Sequence, residues 1–90
     1  MLYQRLKVHG RVQLVLFRDS TRRRARKLNL KGLVRNLRDG SVEILAAGPE
    51  EKINELFDWA KKGPPLASVK QYERDSVELP LVCEDFHIMI

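Results

Sequence analysis

Apolar and polar side chains roughly alternate along the first residues, with Leu2, Gln4, Leu6 and Val8 set against Tyr3, Arg5, Lys7 and His9. Period two sends alternate side chains to opposite faces, so this stretch predicts a half-buried strand, and Gly10 is read as its end. The connector that follows, residues 11–18, is unusually apolar for a loop. From Asp19 the period turns helical. Ala25 and Leu28 lie three apart on one face, the arginines fall mostly on the other, and Asp19 or Ser20 can cap the start by accepting a backbone N–H. Asn29 and then Gly32 are stop signals.

Residues 33–37 predict a second strand and residues 42–47 its return, joined by the Asp39-Gly40 turn signal of a β-hairpin. Gly48-Pro49-Glu50-Glu51 opens a second helix. Proline lacks an N–H that would be unpaired there anyway, and the glutamates suit the positive end of the helix dipole. Ile53, Leu56, Phe57 and Ala60 make the i, i+3, i+4, i+7 stripe of a buried face, with Trp59 off it. Lys61 and Lys62 suit the negative end, and Gly63 followed by Pro64-Pro65 terminates the helix. Residues 66–78 predict a long edge-type strand that Leu79-Pro80-Leu81 breaks. Residues 85–90 predict a short last strand with Phe86, Ile88 and Ile90 on one face. The order is βαββαβ with an extra C-terminal strand. It implies an α+β, ferredoxin-like two-layer sandwich, an antiparallel sheet packed by two helices, as one domain over residues 1–90.

Charge narrows the class of partner. Lys and Arg number 17 against 12 Asp and Glu, a net charge of +5. Arg22, Arg23, Arg24, Arg26 and Lys27 fall together, which suits either a small phosphate compound or a nucleic acid, with a solvated helix face as the plainer reading. No apolar run approaches the roughly 18 residues that span a bilayer, and the first residues lack a signal-peptide layout, so no membrane partner and a cytoplasmic location are expected. Cys83 is alone, which excludes an intrachain disulfide and a paired-thiolate metal site. His9 and His87 have no carboxylate at a telling spacing and read as structural or exposed. No metal-ligand cluster and no nucleophile–base set is apparent, so no metal or cofactor is expected.

The remaining chemistry lies in two places. A tight loop between a strand and a helix can turn several backbone N–H groups inward as an anion cradle, backed by the helix N-terminus. Residues 13–18 (Gln13, Leu14, Val15, Leu16, Phe17 and Arg18) are such a loop. The Arg18 guanidinium can give two parallel hydrogen bonds to phosphate oxygens, or it can be a surface arginine beside an apolar connector. Asn36, polar between Val34 and Leu37, carries an amide able to accept from a water and donate to a substrate at once.

At these residues the chain resembles the acylphosphatase family. The family's first signature, Gly-x-Val-Gln-Gly-Val-x-Phe-Arg, stands here as Gly10-Arg11-Val12-Gln13-Leu14-Val15-Leu16-Phe17-Arg18. The second stands as Gly32-Leu33-Val34-Arg35-Asn36, then Gly40-Ser41-Val42, then Gly48, and Lys62-Gly63-Pro64-Pro65-Leu66-Ala67 is also similar. The resemblance covers residues 6–90 and shares the ferredoxin-like fold. It implies hydrolysis of a small-molecule acyl phosphate to a carboxylate and inorganic phosphate, without metal or cofactor. The residue matching Arg18 holds phosphate together with loop N–H groups, and the residue matching Asn36 orients the attacking water.

Three leucines depart from the family pattern. Leu33 replaces an aromatic, which is expected to affect packing only, and Leu16 falls at a variable position. Leu14 replaces a glycine, and leucine at φ > 0 is disfavoured by roughly 1–2 kcal/mol. Its side chain can fill the mouth of the cradle or point outward. The expected outcome is an acyl-phosphate hydrolase whose activity Leu14 reduces; the alternative is an impaired anion-binding or interaction module of the same fold. Leu14, Val15 and Leu16 can also form an exposed apolar contact patch. A nucleic-acid role ranks below both, because Tyr3, Tyr72 and Phe86 are scattered and carry no RNA-recognition signature.

Overall fold

Alternation and helical period act here on a chain that the computed structural model describes over residues 1–89. Seven elements result: β1 (Leu2–Arg11), α1 (Phe17–Lys27), β2 (Lys31–Asn36), β3 (Val42–Ala47), α2 (Glu50–Ala60), β4 (Ser68–Glu78) and β5 (Phe86–Met89). The sheet order is β4-β1-β3-β2-β5. The first four strands pair antiparallel, while β5 lies parallel to β2, with Gly32 opposite Phe86 and Val34 opposite Ile88. The sheet is therefore mixed, where a uniformly antiparallel one is the expectation. Strand direction explains this. β4 runs opposite to β2, and the short segment after it crosses to the far edge and reverses, so β5 must run with β2. Phe86 and Ile88 lie on that strand, and the expected place of Ile90 on its face lies outside the described residues.

Two cores hold the sheet. Leu6, Val8, Val34, Val42, Ile44 and Phe86 meet Ala25 of α1 and Ile53, Leu56 and Phe57 of α2. Trp59 is half-buried beside them, as its place off the stripe predicts. The second core is smaller and gathers Tyr3, Leu33, Leu45 and Cys83 on the opposite face. Tyr3 therefore belongs among the buried residues, fully enclosed, while Leu2 is exposed. Its hydroxyl donates to the Leu81 carbonyl at 2.8 Å and accepts from the Cys83 N–H at 3.2 Å, which fastens the crossing segment to the sheet. Burial, reinforced by Cys83, pushes the Tyr3 ionisation above its usual value.

The end of β1 and the start of α1 differ from the sequence expectation. Gly10 does not end β1, which runs on to Arg11 through a register shift at His9/Gly10. A bulge needs glycine there, because Gly10 has φ of 129° and a Cβ would collide with the Ser68 carbonyl. Helix α1 starts at Phe17, with Leu16 as its N-cap and no side-chain cap, so neither Asp19 nor Ser20 caps it. Its end is as expected. Asn29 takes φ of 57°, and the N–H groups of Asn29 and Leu30 donate to the carbonyls of Arg26 and Ala25, the Schellman pattern. Among the described residues, no helix is long and apolar enough to cross a membrane.

Candidate active site

The loop between β1 and α1 is held by its own apolar residues. Val12 is buried and Val15 packs against the main core, while Phe17 sits under α1 with its ring 5.7 Å from that of Trp59. Between these anchors, Leu14 and Leu16 adopt φ of 60° and 62°, and Val15 does not. A left-handed residue beside one of negative φ can turn successive N–H groups toward one side. Among the described residues, no N–H of residues 13–19 donates to a backbone carbonyl. The uncapped start of α1 adds the positive end of its dipole at the same place.

Both leucines therefore occupy the conformation that glycine would favour, Leu16 as well as Leu14. Each carries a backbone cost of roughly 1–2 kcal/mol, which the packing of Val12, Val15 and Phe17 must hold. Their side chains point outward, 94% and 72% exposed. The mouth is not plugged, and the reason to expect reduced activity falls away.

A cavity of about 470 Å³ opens at this loop. Arg18, Asp19 and Asn36 supply its polar lining, and Val12, Leu14, Leu16, Phe17 and Ile88 its apolar lining. Residues 18 and 36, far apart in sequence, thus share one chamber. Asn36 ends β2, paired with Val42 across the hairpin. Its Oδ1 is buried and has no hydrogen-bond partner among the described residues. An unsatisfied buried acceptor costs about 1–3 kcal/mol, and this one lies beside the chamber. Asp19 is the one carboxylate in the lining. Arg22 at 2.8 Å and Arg23 at 2.7 Å offset its charge, which limits its repulsion of an anion.

The other loop residues expected at the site do different work. Gln13 turns away from the chamber, and its Nε2 donates to the carbonyls of Leu37 and Ser41 at 2.8 and 2.9 Å. Val15 faces the core. Gln13 thus ties the cradle to the hairpin that carries Asn36. The hairpin turn is fixed in its own right. Asp39 Oδ1 accepts from the N–H of Ser41 at 2.9 Å and from its hydroxyl, and Oδ2 meets Lys7 Nζ at 2.9 Å. The Ser41 hydroxyl, then Lys7, hold the Asp39 carboxyl well below the usual carboxylate range. Sequence reasoning missed Ile88 as a wall of the chamber and Gln13 as a tie. Ile88 could have been found from its phase with Phe86, once β5 is placed beside β2. Gln13 carries no such signal, because a side chain to backbone bond has no sequence period.

The basic segment is largely committed within the molecule. Arg22 and Arg23 pair with Asp19, Arg26 reaches Asp85 and the Phe86 carbonyl, and Arg24 lies 4.6 Å over the Trp59 ring. Tyr3 and Phe86 are buried and cannot stack on bases, and Lys61 covers the Tyr72 ring. His9 is not without a carboxylate: its Nε2 lies 2.8 Å from Glu73 on the neighbouring strand, outside the cavity. Among the described residues, no group of His, Cys, Asp and Glu side chains is arranged to hold a metal ion.

Known proteins resemble this chain in sequence and in fold. The family model described as Acylphosphatase matches residues 4–88. An acylphosphatase of Thiobacillus denitrificans is 48% identical over 73 residues, 81% of this chain and 82% of that protein. One from Thermococcus kodakarensis is 52% identical over 68 residues, covering 76% and 75% respectively. The crystal structure of acylphosphatase from Bacillus subtilis superposes with a TM-score of 0.90 at 37% identity, covering 100% of both chains.

Proposed function

This chain belongs to the acylphosphatase family, and we propose that Arg18 and the N–H groups of residues 13–18 hold the substrate phosphate while Asn36 orients the attacking water. The reaction is hydrolysis of an acyl phosphate to a carboxylate and inorganic phosphate. Water supplies the oxygen that bonds to phosphorus. The bond from phosphorus to the acyl oxygen breaks, and its electron pair leaves with the carboxylate. The proton lost by water passes to the phosphate oxygens. A carboxylate is a good leaving group, so no strong base is needed, and positioning with preorganised donors can supply most of the catalysis.

The observation that carries this reading is the shared chamber. Arg18 and the unpartnered Asn36 Oδ1 line one cavity at the mouth of a loop whose N–H groups are uncommitted. In the loose transition state charge spreads over the equatorial phosphoryl oxygens, where the Arg18 fork and the cradle N–H groups meet it. Because these groups supply the positive charge, turnover is proposed to need no metal or cofactor. Residues 1–90 are proposed to act as one catalytic unit located in the cytoplasm. The sharing of one chamber by residues from the loop after β1 to β5 supports the first part, and a lone cysteine the second.

The test is phosphate release from acetyl phosphate with and without a metal chelator. Arg18→Ala is expected to lose about 100- to 1,000-fold in kcat/KM, the scale for removing a preorganised donor, and the chelator is expected to leave the wild type unchanged. An Arg18→Ala protein as active as the wild type overturns the assignment.

A further inference from the structure

The chamber is lined by two chemically distinct kinds of side chain, the polar Arg18 and Asn36 and the apolar Leu14, Leu16 and Ile88. The two leucines are placed against ordinary preference in two independent ways. Both stand on left-handed backbone, which a leucine resists, and both expose most of an apolar side chain to water. Neither side chain contributes to the main core, which Val12, Val15 and Phe17 already anchor. Both lie at the rim of the cavity that the phosphate would enter. Ile88, half-buried on β5, adds to the apolar lining.

An acyl phosphate has the same two kinds of part, a charged phosphoryl group and an acyl substituent. With the phosphate against Arg18 and the cradle, the acyl substituent must project outward, past the rim. We propose that Leu14, Leu16 and Ile88 form an acyl-binding rim that makes this enzyme select acyl phosphates with a sizeable apolar substituent, aromatic or branched aliphatic, over acetyl phosphate. The inference rests on the reading of Arg18 and Asn36 as phosphate- and water-binding residues. Contact with such a group withdraws the leucine side chains from water, and each added apolar group in a pocket is worth about 10-fold or more in selectivity.

The experiment compares kcat/KM for benzoyl phosphate and acetyl phosphate in the wild type and in the Leu14→Asn/Leu16→Asn double variant. Asparagine tolerates the left-handed backbone and keeps both N–H groups, so the change is confined to the side chains. The ratio of benzoyl to acetyl kcat/KM is expected to fall about 10-fold in the variant, chiefly through the benzoyl KM. If both substrates turn over with the same ratio in both proteins, the rim is overturned while the active-site assignment stands. If the wild type hydrolyses neither, the active-site assignment falls, and binding decides the rim. For that arm the thermal shift given by benzylphosphonate is compared with that given by methylphosphonate. A larger benzylphosphonate shift that the double variant abolishes upholds the rim, and equal shifts in the wild type overturn it. Leu14→Gly, which removes one rim side chain at a position glycine favours, repeats the test should the double variant not fold.

Discussion

The cradle loop and the β2–β3 hairpin each supply half of the site, and they are built on opposite terms. In the hairpin, residues 31–36 pair in register with residues 42–47, and the turn is closed by Asp39, Ser41 and Lys7. Its proposed contribution is a single side-chain atom, the Asn36 Oδ1, buried and without a hydrogen-bond partner among the described residues. In the loop almost nothing is paired. Two leucines sit on left-handed backbone, and the groups on offer are backbone N–H donors. A backbone donor is available whatever side chain it carries, provided the conformation is held. Leucine can therefore stand where the family pattern has glycine, and the site keeps its form. A side-chain acceptor has no such substitute. Function should thus depend on residue identity at Asn36 and Arg18 and on conformation from Gln13 to Phe17.

A large effect is expected in the hairpin, equal in scale to that of Arg18→Ala. Asn36→Ala is expected to lower kcat about 100- to 1,000-fold, the scale of one preorganised catalytic group, while chemical denaturation finds stability within about 1 kcal/mol of the wild type, because an unsatisfied acceptor is removed with the side chain. A variant that unfolds readily instead would mean that Asn36 is structural. Next comes the tie between the two regions. Gln13→Ala removes two hydrogen bonds and leaves two hairpin carbonyls without that donor, so a loss of about 1–3 kcal/mol in denaturant unfolding is expected. The accompanying fall in kcat is expected near 10-fold, since misplacement of about 1 Å at a reacting centre can cost about 100-fold. Full activity in Gln13→Ala would show that loop and hairpin are positioned independently.

Two smaller effects sharpen the contrast. Leu14→Gly relieves roughly 1–2 kcal/mol of backbone strain and adds unfolded-state entropy of about 0.4–1 kcal/mol, so stability is expected to rise by no more than about 1.6 kcal/mol. A marked destabilisation would show that the leucine side chain braces the loop. The turn carries a pH signature. The Asp39 carboxyl in the folded protein titrates below its ordinary 3.8, so the unfolded chain binds the proton more readily. Its stabilising contribution is therefore complete above about pH 4 to 5 and is lost as pH falls toward the folded value. Asp39→Asn is expected to flatten that acid limb in thermal melts across pH. An unchanged limb would assign the acid sensitivity to other carboxylates.

The same contrast explains how much could be read from the chain. The hairpin announces itself through Asp39-Gly40 between alternating strands, and α2 through the stripe of Ile53, Leu56, Phe57 and Ala60, because both signals are local and periodic. Arg18 and Asn36 were legible as candidates because they stand in two motifs at the right separation, and the fold brings both into one cavity. What escaped depends on contacts between distant segments. Tyr3 alternates with the polar residues of β1, yet is buried because the segment after β4 crosses the back of the sheet and pairs with its hydroxyl. The start of α1 at Phe17 escaped because its N-cap is a leucine held left-handed by packing, where propensity points to Asp19. The parallel place of β5 follows from the path of that crossing and from no residue of β5 itself.

The central claim is a division of labour within one chamber: Arg18 binds the phosphate in ground and transition states, and Asn36 acts on the water. Steady-state hydrolysis of acetyl phosphate, measured with inorganic phosphate as a competitive inhibitor, separates the two roles. Asn36→Ala should lower kcat about 100-fold or more while the inhibition constant of phosphate stays within about threefold, and Arg18→Ala should weaken phosphate inhibition and kcat together. An Asn36→Ala protein that keeps its kcat would contradict the account.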